Sequence, residues 1–196
     1  MIVQRDSKIL REIAKPVPVS EIKSKKIAGI IQDMKEALAS QIDGVALAAP
    51  QIGVSLRIFV VSGKILGRYI KRKKGEEERP EKEKRADLPD MVFINPEILK
   101  ASKDSVIAEE GCLSIRYAYG KMIRAKKATV RAYDEHGKLF ERGASGLLAQ
   151  IFQHETDHLD GRLFTDKAFD VEEIPPEKYA EYLKNGYERE VNQTAK

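Results

Sequence analysis

"IFQHETDHLDG", Ile151 to Gly161, carries two of the three histidines of a 196-residue chain, four positions apart with a glutamate directly after the first. Leu147, Ile151, His154 and His158 step by four, three and four residues, so the histidines continue the apolar stripe of a helix that faces the core. The helix spans about Ala144 to Asp160, and Gly161 stands where a glycine C-terminal cap belongs. Both imidazoles then leave successive turns on one face, with Glu155 displaced around the helix. That geometry suits two nitrogen ligands on one metal ion and a carboxylate near the open coordination position. The alternative is a pair of core histidines bonded to backbone, which requires partners for two buried imidazoles and for a buried carboxylate beside them.

Two nitrogen ligands do not complete a site. The run H-E-x-x-H-x-x-G-x-x-H of secreted zinc proteases is matched as far as Gly161, but Phe164 stands where its third histidine falls. His136 sits in the polar turn "DEHG", where solvent exposure is the better reading, and Glu172 or Glu173 downstream are further options. A stronger candidate is Cys112 in "EEGCLSI", at the end of a predicted strand with Gly111 beside it. A thiolate and two imidazoles leave a fourth tetrahedral position for water. A lone cysteine is more often a packing residue, and its pairing with the histidine helix reverses that expectation.

The rest of the chain supplies a scaffold of matching size. A hydrophobic fraction of 42% with 34% charged residues argues for one globular domain, and the net charge of +4 permits an encounter with RNA without demanding one. The N-terminus "MIVQRDSKILREIAK" alternates charged and apolar residues, unlike a signal-peptide core, and no apolar run reaches the length of a membrane span. The single cysteine forms no internal disulfide, which points to the cytoplasm. Ile27, Ile30, Ile31, Met34 and Leu38 mark an N-terminal helix within Ser20 to Ile42, ended by Asp43 and Gly44. Leu56 to Val61 and Met91 to Leu99 read as strands, and "MIRAKKATVRAYDEHGKLFER" reads as a hairpin turning at Glu135 to Gly137. Connections this short imply antiparallel pairing. Residues 71–90 form a highly charged stretch whose apolar side chains are Ala86 and Leu88, read as a solvated, mobile loop. In the C-terminal segment Tyr179, Tyr182 and Leu183 share one face of a short helix.

Taken together, "GVALAAPQ" (Gly44 to Gln51), "EGCLS" (Glu110 to Ser114) and "HETDH" (His154 to His158) make the chain resemble the peptide deformylase family closely, in motif and in order. The first motif departs once, with Ala46 where the family usually has glycine, and Arg116 and Tyr119 replace a usual proline and arginine after the second. The resemblance implies an α+β fold: antiparallel sheets packed around a central metal-ligand helix, with an N-terminal and a short C-terminal helix. It covers residues 1–170 as one catalytic domain, leaving 171–196 as a C-terminal extension. Cys112, His154 and His158 would hold one divalent metal, in this family typically Fe2+, with Zn2+, Ni2+ or Co2+ able to substitute. Glu155 would be the general acid and base, and the backbone N–H of Leu113 with the Gln51 side chain would stabilise the oxyanion. Gly44, Val45, Ala46, Gly111, Leu147 and Ile151 would meet the substrate, the N-formyl-methionine end of a nascent polypeptide. Behind the ligands, Glu110 is placed to pair with Arg124, and Asp157 to orient the helix. A transient ribosome contact through the C-terminal segment, a monomeric state and no membrane association complete what the family implies.

Two other classes remain open on the sequence. A zinc endopeptidase would keep activity without Cys112 and cut internal bonds, whereas a nonenzymatic RNA-associated domain would bind through the 71–90 stretch.

Overall fold

The computed structural model describes residues 1–69 and 88–183, so most of the expected 71–90 loop and the chain beyond 183 lie outside the described residues. Helix α1 spans Lys25–Ala39, with the Ser24 hydroxyl accepting from the Ile27 N–H at 3.2 Å as its N-terminal cap. It is shorter than the spacing predicted, because Val19–Glu21 forms a separate 3-10 turn and Ser24 starts the true helix. Strand β1 (Ala46–Ala48), β2 (Ile58–Val61), helix α2 (Gly63–Tyr69) and β3 (Met91–Ala101) follow. Next come β4 (Ser105–Cys112), β5 (Ile115–Ala125), β6 (Lys127–Tyr133), β7 (Leu139–Ser145), helix α3 (Gly146–Leu159), β8 (Phe169–Glu173) and a short helix α4 over residues 179–183.

All strand pairings within the two sheets are antiparallel. One sheet runs β1-β2-β3-β6-β7 and the other β4-β5-β8. The predicted α+β class and the helix at its centre are both present. β8 crosses the 170/171 division expected from the sequence and pairs with β5 through Ala118↔Glu173 and Tyr119↔Glu172.

Strand periodicity explains why the larger sheet carries a helix on each face. Alternate residues of β1 to β3, including Ala46, Ala48, Phe59, Val61 and Phe93, pack with Ile151 and Phe152 of α3. The intervening Leu47, Ile58, Val60, Val92 and Ile94 pack with Ile27, Ile31, Met34 and Leu38 of α1. Phe59 stacks on Phe93 at 4.5 Å between ring centroids, and Phe152 meets Phe93 edge-on at 5.2 Å. These rings fix α3 against the sheet. A third, smaller core of Leu10, Ile115, Met122, Leu163 and Phe164 lies under the second sheet.

The end of α3 is set by Gly161. Its backbone takes φ +72°, its N–H bonds the His158 carbonyl, and the Arg162 N–H returns to the Asp157 carbonyl at 2.9 Å. This pair of bonds is the Schellman closure. A methyl group at Gly161 would also stand 2.7 Å from the Arg11 carbonyl oxygen. Gly161→Ala is therefore expected to cost about 1–3 kcal/mol. Gly29→Ala, inside α1 with no atom within 4 Å of the new methyl, is expected to add about 0.5–1 kcal/mol. Urea unfolding of both variants reads the difference in sign.

Candidate metal centre

Cys112 is the last residue of β4, joined to β5 by the two residues Leu113 and Ser114. α3 brings His154 and His158 to the same point, so that the three side chains offer ligand atoms within 4.8 Å of one another. Cys112 Sγ lies 3.2 Å from His158 Nε2. Burial pushes the Cys112 thiol up, but His158 and His154 outweigh it and bring its pKa down to about 5. Burial likewise pulls His154 down, and Cys112 with Glu110 drive it well above its usual value. Such a trap for protons is also a trap for a divalent cation, which takes deprotonated thiol and imidazole.

The ring orientation of His154 is fixed from behind. Its Nδ1 lies 2.9 Å from Glu110 Oε2, which leaves Nε2 for the site. Glu110 is held in turn by Arg124 through bonds of 2.7 and 2.9 Å, and Arg124 reaches Asp157 on α3 at 2.6 Å. Burial would raise the Glu110 carboxyl, yet Arg124 and His154 bring it down to about 2. The expected Glu110–Arg124 pair and the role of Asp157 in holding the helix are both present.

Glu155 is 3% exposed, and among the described residues its Oε2 has no hydrogen-bond partner; His158 Nδ1 is in the same position. A buried carboxylate oxygen without a partner costs about 1–3 kcal/mol or more. Burial raises the Glu155 pKa against the pull of His154 and His158, which brings the group nearer the range of a proton shuttle. The donor set of one thiolate and two imidazoles therefore fits a divalent cation, with the Glu155 carboxylate lining the same cleft. Gln51 is oriented by the Ala48 N–H, which donates to its Oε1 at 2.8 Å. Its Nε2 thus points at Ser114 Oγ and Cys112 Sγ, 3.2 and 3.5 Å away.

A cleft of about 970 Å³ opens over these groups. Gly44, Val45 and Ala46 line one wall, Gly111, Cys112 and Leu113 the other, and Leu147, Ile151, His154 and Glu155 the floor. Among the described residues β1 pairs with β2 alone and β4 with β5 alone, so a strand edge without a neighbour faces the cleft from either side. Phe164, at the third-histidine position of the protease pattern, is a core residue whose ring lies 6.4 Å from that of His154. His136 is exposed in its turn, and Glu172 and Glu173 are exposed on β8, away from the ligand cluster.

A methyl at Gly44 would meet the Leu38 side chain at 2.8 Å and the Leu38 carbonyl oxygen at 3.0 Å, and one at Gly111 would meet the Tyr119 ring at 2.6 Å. Both glycines line the cleft, and packing within the chain already requires each of them. Ala46 is 5% exposed, with its side chain in the core shared with Ile151. Residues that the sequence did not single out also reach the cleft, among them Asp43, Lys64, Ile65 and Gln150.

A thiol, two imidazoles and a buried carboxylate gathered at one cleft fit the class of metal-dependent hydrolases. The chain belongs to the polypeptide deformylase family, whose model matches residues 1–173. It is 41% identical to the peptide deformylase of Halothermothrix orenii, over 84% of this chain and 90% of that protein. It is 40% identical to the chloroplastic/mitochondrial peptide deformylase 1A of Arabidopsis thaliana, over 85% of this chain but 60% of the plant protein's length. A crystal structure of the class I type b peptide deformylase of Acinetobacter baumannii bound to Met-Ala-Ser superposes with a TM-score of 0.69 at 30% identity, covering 85% of this chain and 96% of that one.

The Glu110–Arg124 pair yields a test. Arg124→Met leaves Glu110 buried without its cation and is expected to destabilise the fold by about 3–5 kcal/mol. Zinc affinity, read by competition with a chelator, is expected to fall about 10–100-fold as His154 loses its fixed orientation. Unchanged affinity would separate this pair from the ligand set.

Proposed function

We propose that Cys112, His154 and His158 hold one divalent cation and that Glu155 moves the proton in the reaction the family defines. The chain is a metal-dependent hydrolase that removes the N-formyl group from the formyl-methionine end of nascent polypeptides and releases formate. The observation that carries the residue assignment is the buried, unpaired oxygen of Glu155 beside the thiolate and two imidazoles. When bound, the cation supplies Lewis acidity and makes water easier to deprotonate.

The rest of the chemistry belongs to the chain. Glu155 accepts a proton from the attacking water, whose oxygen bonds to the formyl carbon. The Leu113 N–H and Gln51 Nε2 donate to the oxyanion that forms, and removing one such donor costs roughly a hundredfold in rate. Glu155 then returns the proton to the departing nitrogen, and the C–N bond breaks to give formate and a free amine. The peptide enters as an added strand between the edges of β1 and β4, where backbone hydrogen bonding needs no particular sequence. Gly44, Val45, Ala46 and Gly111 line its path, and Val45, Leu147 and Ile151 give the methionine side chain an apolar wall.

The cation in the cell is Fe2+ in this reading, with Zn2+, Ni2+ or Co2+ able to take its place. The protein works in the cytoplasm as a monomer, and a net charge of +4 suits brief encounters with the ribosome. Among the described residues no helix is long and apolar enough to cross a membrane.

Formate release from formyl-Met-Ala by anaerobically purified, iron-loaded protein tests the function. Glu155→Gln is expected to keep its metal and lose about 10²–10⁴-fold in turnover, because an amide can neither accept nor return the proton. Near-normal release with metal content verified would remove Glu155 from the mechanism. Air exposure is expected to inactivate the iron-loaded enzyme faster than the zinc-loaded one, with oxygen added to the Cys112 peptide in its mass spectrum. Equal rates of loss would count against ferrous iron.

A further inference from the structure

Residues 174–183 run along the cleft. After β8 the Ile174 N–H bonds the Tyr117 carbonyl at 2.7 Å, Pro175 and Pro176 turn the chain, and α4 lays Tyr179, Ala180, Tyr182 and Leu183 along the cleft. Tyr179 links the two walls. Its hydroxyl donates to Asp43, which directly precedes Gly44, and lies 3.0 Å from the hydroxyl of Tyr119, whose ring covers Gly111. Arg116 holds Asp43 from the other side at 3.2 Å. The Tyr182 hydroxyl donates to Glu109 at 2.7 Å, and its ring packs on Tyr119 at 4.6 Å between centroids.

We propose that this strap, through Tyr179 and Tyr182, is a wall of the substrate site that binds the peptide residues following the first two. The proposal rests on the deformylase reading and extends it. Three observations carry it. First, the two phenol protons are committed to Asp43 and Glu109, and Tyr179, Tyr182 and Leu183 all line the cleft. Second, the rings are packed by neighbours, Tyr117 meeting Tyr179 edge-on at 5.0 Å and Tyr119 meeting Tyr182 at 4.6 Å, and aromatic side chains give contact area at little entropic cost. Third, the cleft keeps about 970 Å³ with the strap in place, at the upper end of ligand sites, so the strap bounds the cleft without plugging it.

The position along the peptide follows from strand geometry. Glu109 stands three residues before Cys112 on β4, about 10 Å at ~3.3 Å per residue. An extended peptide beginning at the ligand set covers that distance with its first three residues. Contact with Tyr182, and with Tyr179 beside it, therefore starts at the third.

The test compares formyl-Met-Ala with formyl-Met-Ala-Leu-Leu on the iron-loaded full chain. For Tyr179→Ala and for Tyr182→Ala, the ratio of kcat/KM on the tetrapeptide to that on the dipeptide is expected to fall about fivefold, through KM. Tyr179→Phe, which keeps the ring, is expected to recover at least half of that loss, an outcome that a general loss of fold would not give. Calorimetric binding of unformylated Met-Ala-Leu-Leu is expected to weaken in parallel. A ratio within twofold of the parent in both alanine variants overturns the proposal, and a rising ratio overturns it in favour of a barrier. If the parent chain releases formate from neither peptide, the deformylase reading itself fails, which the dipeptide alone reveals.

Discussion

The carboxylate of Glu110 is the constraint on which the site depends. It lies in the interior, where a charge without partners is costly, and it is acceptable there because Arg124 and His154 meet its two oxygens and Asp157 takes a third bond from Arg124. Those four residues sit on β4, β5 and α3. The network thus joins the smaller sheet to a helix whose apolar face is mostly spent on the larger one. With only a small core of its own beneath it, the second sheet takes its position over α3 from this polar contact as well as from packing. Cys112 follows two residues after Glu110 on the same strand, so the strand that holds the His154 ring also carries the thiol.

The larger sheet explains why the cleft forms where it does. Helices cover both of its faces, and β1 is a three-residue strand at its margin. Short edge strands limit unwanted pairing. Here that margin is turned inward, toward the ligands, so its unpaired peptide groups face a concave site.

Local chemistry made much of this legible in the sequence. The histidine helix was readable because its apolar period runs through both histidines and stops at a glycine, which forms a left-handed cap. β2 and β3 were readable from β-branched and aromatic runs, and the Cys112 motif from its match to the deformylase pattern. What escaped depends on contacts between distant segments. β8, "FDVEE", has exposed side chains and joins its sheet through the backbone, so no hydrophobic pattern announces it. The spacing of Tyr179, Tyr182 and Leu183 showed a helical face but not that Asp43 and Glu109 receive its hydroxyls. The neighbours that require glycine at 44 and 111, Leu38 and Tyr119, are set by tertiary packing. The apolar period within Ser20 to Ile42 does not mark where α1 begins; the Ser24 hydroxyl, bonded to the Ile27 N–H, does.

Cys112 and His158 are 46 positions apart, and the chain contains a single cysteine. A cation between them is a crosslink that closes the intervening segment into a loop. Restricting the unfolded chain in this way corresponds to about 4 kcal/mol in the entropy model for a loop of that size. In a protein with no disulfide to draw on, the ion that activates water would also serve as the staple, and its departure would free the histidine helix from the strand end that faces it.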